Sequence, residues 1–151
     1  MKKRWISVCL MLVLLLSSLP ASVSSARMVA AADAAYPVEG GNIYFEKTTG
    51  TVTGCDDSVT AAVIPEQIEG VTVTALAAGA FGSYAGDNLT LKRVVLPETV
   101  TDLGTETFRY CTALEEVNIP AGVTVIGYEC FHRCLSLTKI VLPEGIKRID
   151  Y

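Results

Sequence analysis

The chain has 151 residues, half of them hydrophobic and 19% charged, with a formal charge of −4. That length admits about one domain at ~100–200 residues each and excludes a large multidomain enzyme within these residues. The apolar content is uneven, because residues 6–16, ISVCLMLVLLL, form one oily stretch directly after Met1, Lys2, Lys3 and Arg4.

A basic start, an apolar core and a small-residue exit at Ser24-Ser25-Ala26 follow the order of a cleavable secretory signal, assigned to residues 1–26. The core falls short of the ~20 residues that cross a bilayer, so no stable membrane span is expected after cleavage. Removing the signal leaves nine basic and 16 acidic residues, a balance of −7. Such a chain lacks the clustered Lys and Arg that displace counterions from a phosphate backbone, and nucleic acid is not an expected partner. Residues 27–41 are rich in Ala, carry Pro37 and Gly40-Gly41, and show no periodicity, which reads as a linker.

NIYFE (42–46) and TVTGC (51–55) are β-prone runs separated by Lys47-Thr48-Thr49-Gly50, a hairpin spacing. With VTAAVI (59–64) they predict a small antiparallel β-hairpin unit over 42–63. From residue 64 the dominant signal is internal repetition, which governs the whole fold. Leu-Pro or Ile-Pro pairs begin at 64, 96, 119 and 142, and the last two intervals are both 23 residues. Residues 96–118 align on 119–141 without a gap: Val100 on Val123, Leu103 on Ile126, Phe108 on Phe131, Cys111 on Cys134, Leu114 on Leu137, Val117 on Ile140. The unit at 64–95 carries nine extra residues, around IEGVT (68–72) and AGDN (85–88), and a truncated unit occupies 142–151.

Alternation in Leu114-x-x-Val117-x-Ile119 and Leu137-x-x-Ile140-x-Leu142 predicts short strands with Val117 and Ile119 inward and Glu116 and Asn118 outward. Phe and Cys three apart in TETFRYC and YECFHRC predict one or two helical turns. The expected fold class is therefore an α+β repeat solenoid, with Phe81, Phe108 and Phe131 stacked in an internal column.

The pattern L-x-x-V-x-I-P, V-x-x-I-G and C/A-F-x-x-C-x-x-L resembles the BspA-type leucine-rich repeats of bacterial surface proteins over residues 64–151. Tyr84 stands where the other units have Cys. The resemblance implies a secreted or wall-associated bacterial protein that binds a protein or host-surface ligand without catalysis, often as an adhesin. A competing expectation is a repeat module that spaces or docks a catalytic domain of a larger secreted enzyme. The ten-residue unit at 142–151 leads us to expect a longer natural chain.

Four cysteines remain after the signal, Cys55, Cys111, Cys130 and Cys134. Cys111 and Cys134 share one inward repeat position, which favours packed thiols, while stacking leaves a bridge between them as the alternative. Cys130, His132 and Cys134 form C-x-H-x-C, but the register sends His132 outward, and a zinc site would still lack a fourth ligand. No catalytic, cofactor or metal residues are assigned, and no cofactor is expected. Leu96-Pro97-Glu98-Thr99-Val100 resembles a wall-sorting signal but falls in repeat register, and Asn88-Leu89-Thr90 is a glycosylation sequon. Binding is assigned to the outward strand columns Arg93/Glu116/Lys139 and Val95/Asn118/Val141, the first of which alternates in charge.

Overall fold

Backbone pairing begins earlier than the composition suggests. The structure is a computed structural model that describes residues 33–82 and 88–151; residues 1–26, read above as a signal, and Tyr84 lie outside the described residues. Strand β1 (Asp33–Val38) falls in the segment read as a linker and pairs antiparallel with β2 (Gly41–Glu46). Small alanines hid the alternation: Ala34 is buried, and Tyr36 and Val38 lean on the core. Pro37 is tolerated because β1 is an edge strand, where a missing N–H leaves no ladder bond unmade.

β2 pairs antiparallel with β3 (Thr51–Cys55) through the expected hairpin. Gly50 closes that turn at φ 71°, and a Cβ there would lie 2.5 Å from the Thr72 carbonyl oxygen. Asp56 then locks the unit. Its carboxylate accepts from the Asn42 N–H (2.8 Å), the Asn42 amide (3.0 Å) and the Tyr44 hydroxyl. The Tyr44 bond, with the Asn42 bonds behind it, holds the Asp56 carboxyl below the usual carboxylate range.

The run at 59–64 departs from the expected antiparallel unit. Strand β4 (Ala61–Val63) pairs in parallel with β8 (Arg93–Val95), and only an isolated antiparallel bridge, Glu39 to Ala61, ties it to the preceding segment. The first insertion folds into its own hairpin, β5 (Gln67–Ile68) and β6 (Val71–Thr72), turning through Glu69 (φ 50°) and Gly70 (φ 80°).

Beyond it the chain winds in coils that add parallel strands to two sheets. Strands β7 (Ala75–Leu76), β9 (Asp102–Leu103), β11 (Val125–Ile126) and β12 (Arg148–Ile149) extend the first sheet to the order β1-β2-β3-β7-β9-β11-β12. Strand β10 (Glu116–Val117) joins β8 and β4 in the second, ordered β10-β8-β4. The register is that of the sequence repeat: Leu76, Leu103, Ile126 and Ile149 are partners across one sheet, and Val94 and Val117 across the other. Gly104 permits the close approach, since a Cβ there would lie 2.6 Å from backbone atoms of Ala77 and Ala78.

The helical part of the expected α+β class is not borne out, because the described residues contain no helix. TETFRYC and YECFHRC form successive turns, with Glu106, Tyr110, Glu129 and Arg133 all at φ between 47° and 60°. A left-handed residue at every fourth position breaks a right-handed helix. The backbone donors go instead to the next coil: Glu106 N–H to the Tyr128 carbonyl (2.8 Å), Phe108 to Cys130 (2.9 Å), Tyr110 to His132 (2.8 Å). Stacked coils thus satisfy the N–H groups that a helix would satisfy internally. The architecture is a repeat solenoid of strands and turns.

The expected aromatic column does form. The Phe81 and Phe108 ring centroids are 5.5 Å apart and those of Phe108 and Phe131 5.3 Å, with planes within 10° of parallel. The four cysteines among the described residues are free thiols. Cys111 Sγ lies 3.2 Å from the Phe81 carbonyl and Cys134 Sγ 3.1 Å from that of Phe108, each donating to the preceding coil. Burial pushes the Cys134 thiol up to about 11 and Cys130 to about 12, and raises Cys111 further.

Candidate functional site

The outward side of β4, β8 and β10 carries the assigned columns, and each residue is placed there by strand alternation. Val94 and Val117 point into the core, which turns Arg93 and Glu116 out. Arg93 Nε lies 3.0 Å from Glu116 Oε2, so two members of the charge column pair as expected. Both side chains are more than half exposed, and the pair contributes under about 1 kcal/mol.

The third rung differs. Residues 139–141 form no strand, and the ion pairs among the described residues do not include Lys139. Leu142, expected inward, is 40% exposed. Lys139 and Val141 therefore continue the columns as exposed side chains without a backbone ladder beneath them.

Asn118 has a different role from its neighbours in the column. Its Oδ1 accepts from the Leu96 N–H (2.7 Å) and its Nδ2 donates to the Leu96 carbonyl (2.8 Å). The side-chain amide stands in for a strand rung just before Pro97, so its polar atoms are committed to the fold. The apolar column gains a member that the sequence reading missed. Val63 on β4 is the in-register partner of Val95 and is 60% exposed; Val141 is 66% exposed. The signal was available, since Val63 precedes Val95 by the same 32 residues that separate Ile64-Pro65 from Leu96-Pro97. Reading 59–64 as part of the hairpin unit concealed it.

Among the described residues no group of three or more His, Cys, Asp or Glu is placed to hold a metal ion. Cys130 is buried and His132 exposed, so that pair of the C-x-H-x-C run does not converge. No helix of the described residues is long and apolar enough to cross a membrane. The face presents β-branched side chains, Val63 and Val141 exposed and Val95 half-buried, beside the Arg93–Glu116 pair.

Residues 79–151 match the family described as "BspA type Leucine rich repeat region (6 copies)". This stretch is a BspA-type leucine-rich repeat region. The solved leucine-rich repeat protein of T. pallidum is 30% identical with a TM-score of 0.62, over 76% of this chain and 53% of that one. A leucine-rich repeat protein from Bacteroides ovatus is 27% identical with the same TM-score, over 76% of this chain and 31% of its own. One from Bacteroides capillosus is 25% identical with a TM-score of 0.60, over 77% of this chain and 87% of its own. The chain thus spans about half or less of the first two leucine-rich repeat proteins. No curated protein matches it.

Proposed function

We propose that this leucine-rich repeat protein is exported, acts at or outside the bacterial surface without catalysis, and binds another protein through the outward face of β4, β8 and β10. The observation that carries the reading is Val63, a β-branched side chain 60% exposed and in register with the half-buried Val95 on the adjacent parallel strand. Strand side chains that face solvent at such positions cost solvation and add nothing to the core, whereas extended solenoid faces serve as binding surfaces. The repeat family and the signal-like residues 1–26 support surface exposure, and adhesion is the finer form of the same role.

A photocrosslinking residue placed at Val63 or Val141 in the producing cell tests the face, with Thr48 at the hairpin tip as the comparison site. The expected result is one discrete protein adduct from the strand positions alone, lost when Val95 is changed to Lys. Equal adduct patterns from Val63 and Thr48, or adducts indifferent to Val95→Lys, would remove the face from consideration.

A further inference from the structure

The turn that replaces the expected helix assembles a second surface. Tyr110 and Arg133 occupy equivalent left-handed positions in successive coils, at φ 60° and 58°. His132 meets the Tyr110 ring edge-on, with centroids 5.6 Å apart and planes at 76°. The Arg133 guanidinium carbon lies 5.6 Å from the same ring centroid and that of Arg109 lies 4.9 Å from it. Tyr110 is therefore bordered by three nitrogen-bearing side chains.

Their charges are spent differently. Arg109 is clamped between Glu106 (3.1 Å) and Glu129 (2.9 Å), so it serves to tie one coil to the next. His132 and Arg133 are exposed, and neither takes part in an ion pair among the described residues. Left-handed positions favour glycine, and Gly79 fills one in the first unit. The Glu residues at 106 and 129 offset that strain through Arg109. Tyr110 and Arg133 meet each other at their left-handed positions, and the Arg133 guanidinium has no carboxylate partner among the described residues.

We propose that the Tyr110–His132–Arg133 corner docks an acidic segment of a partner protein. Arg133 supplies a planar fork that matches a carboxylate, the Tyr110 ring steadies that fork, and the Tyr110 hydroxyl and His132 add donors at its edge. Tyr and Arg are the residues that most often anchor protein interfaces. The mature chain's charge of −7 opposes a long polyanion such as nucleic acid, while a carboxylate at contact distance lies within a Debye length of Arg133 and is governed by it. The corner is separate from the strand face and does not depend on the reading proposed for that face.

Fluorescein-labelled hexaglutamate, with hexalysine and hexaserine as controls, tests this by polarisation against the full chain at low and physiological salt. Hexaglutamate is expected to bind and both controls to fail. Arg133→Gln is expected to weaken it at least about fivefold, the scale of one charge-assisted bond, with Arg133→Lys intermediate and Tyr110→Phe weaker than the unaltered chain. Lys147→Gln removes the same charge from an exposed site in the last unit, and Val95→Lys alters the strand face; neither is expected to lower affinity. Circular dichroism confirms folding of each variant. Absence of hexaglutamate binding overturns the proposal, as does a Lys147→Gln effect equal to that of Arg133→Gln, which would indicate general charge attraction only.

Discussion

Coils 96–118 and 119–141 match residue for residue at their apolar positions, yet they do not bury them equally. Phe108, Cys111 and Leu114 are fully buried, whereas their equivalents Phe131, Cys134 and Leu137 are only partly so. Ile119 is 8% exposed and its equivalent Leu142 is 40% exposed. Both coils have strand partners on either side in the first sheet, β9 between β7 and β11 and β11 between β9 and β12; in the second sheet β8 backs β10, whereas residues 139–141 form no strand. Burial in this molecule is thus conferred by the adjacent coil, and the residue type only makes a position fit for it.

The largest expected contrast is in the aromatic column. Phe108→Ala leaves a cavity between two rings and is expected to cost about 3–5 kcal/mol. Phe131→Ala in the same 151-residue chain is expected to cost less than half as much, since among the described residues Phe131 stacks on Phe108 alone and is already partly exposed. Urea unfolding of the two variants checks this, and equal losses would show that neighbouring coils do not set the energetics.

Glycine provides a smaller contrast. Gly104→Ala places a methyl 2.6 Å from the Ala77 and Ala78 backbone, while at Gly127 the nearest atom is 3.1 Å away. Overpacking by one methyl against an immovable backbone is expected to cost about 1–3 kcal/mol at Gly104 and under about 1 kcal/mol at Gly127. Thermal melting of the pair gives the ranking, and a greater loss at Gly127 would contradict the tighter stacking of the inner coils.

The thiols sharpen the comparison with the least effect on stability. Cys134, at about 11, should react with an aromatic disulfide before Cys130, at about 12, and well before Cys111. Because the thiolate is the nucleophile, the Cys134 rate should climb about tenfold per pH unit between pH 7 and 10. Cys111 should label only as fast as the chain unfolds. The denatured chain lacking residues 1–26 should titrate four thiols without reductant, and a count of two would restore the Cys111–Cys134 bridge.

Legibility in the sequence followed the type of interaction. The repeat spacing located the Phe column and the Arg93–Glu116 pair, because apolar identity at a fixed spacing is itself the stacking rule. Strand β1 was illegible because alanine buries without announcing itself as apolar, and the proline beside it reads as a breaker. Val63 was missed because β4 belongs to the parallel sheet although it adjoins the hairpin. Asn118 looked like a surface residue, and nothing local shows that its amide completes a backbone rung 22 residues earlier.

The sequence by itself determined that coils repeat, which side chains share a column and where the insertions fall, since all three follow from spacing. Only the tertiary structure decided what lies between the strands. Phe108 and Cys111 three apart suit a helix as well as a turn, and the choice depends on where the N–H groups of Glu106, Phe108 and Tyr110 find acceptors. The next coil presents carbonyls at Tyr128, Cys130 and His132 in the right register. Once those acceptors are in place, left-handed residues become tolerable and the helix is displaced. The same displacement brings Tyr110, His132 and Arg133 together at one corner of the solenoid.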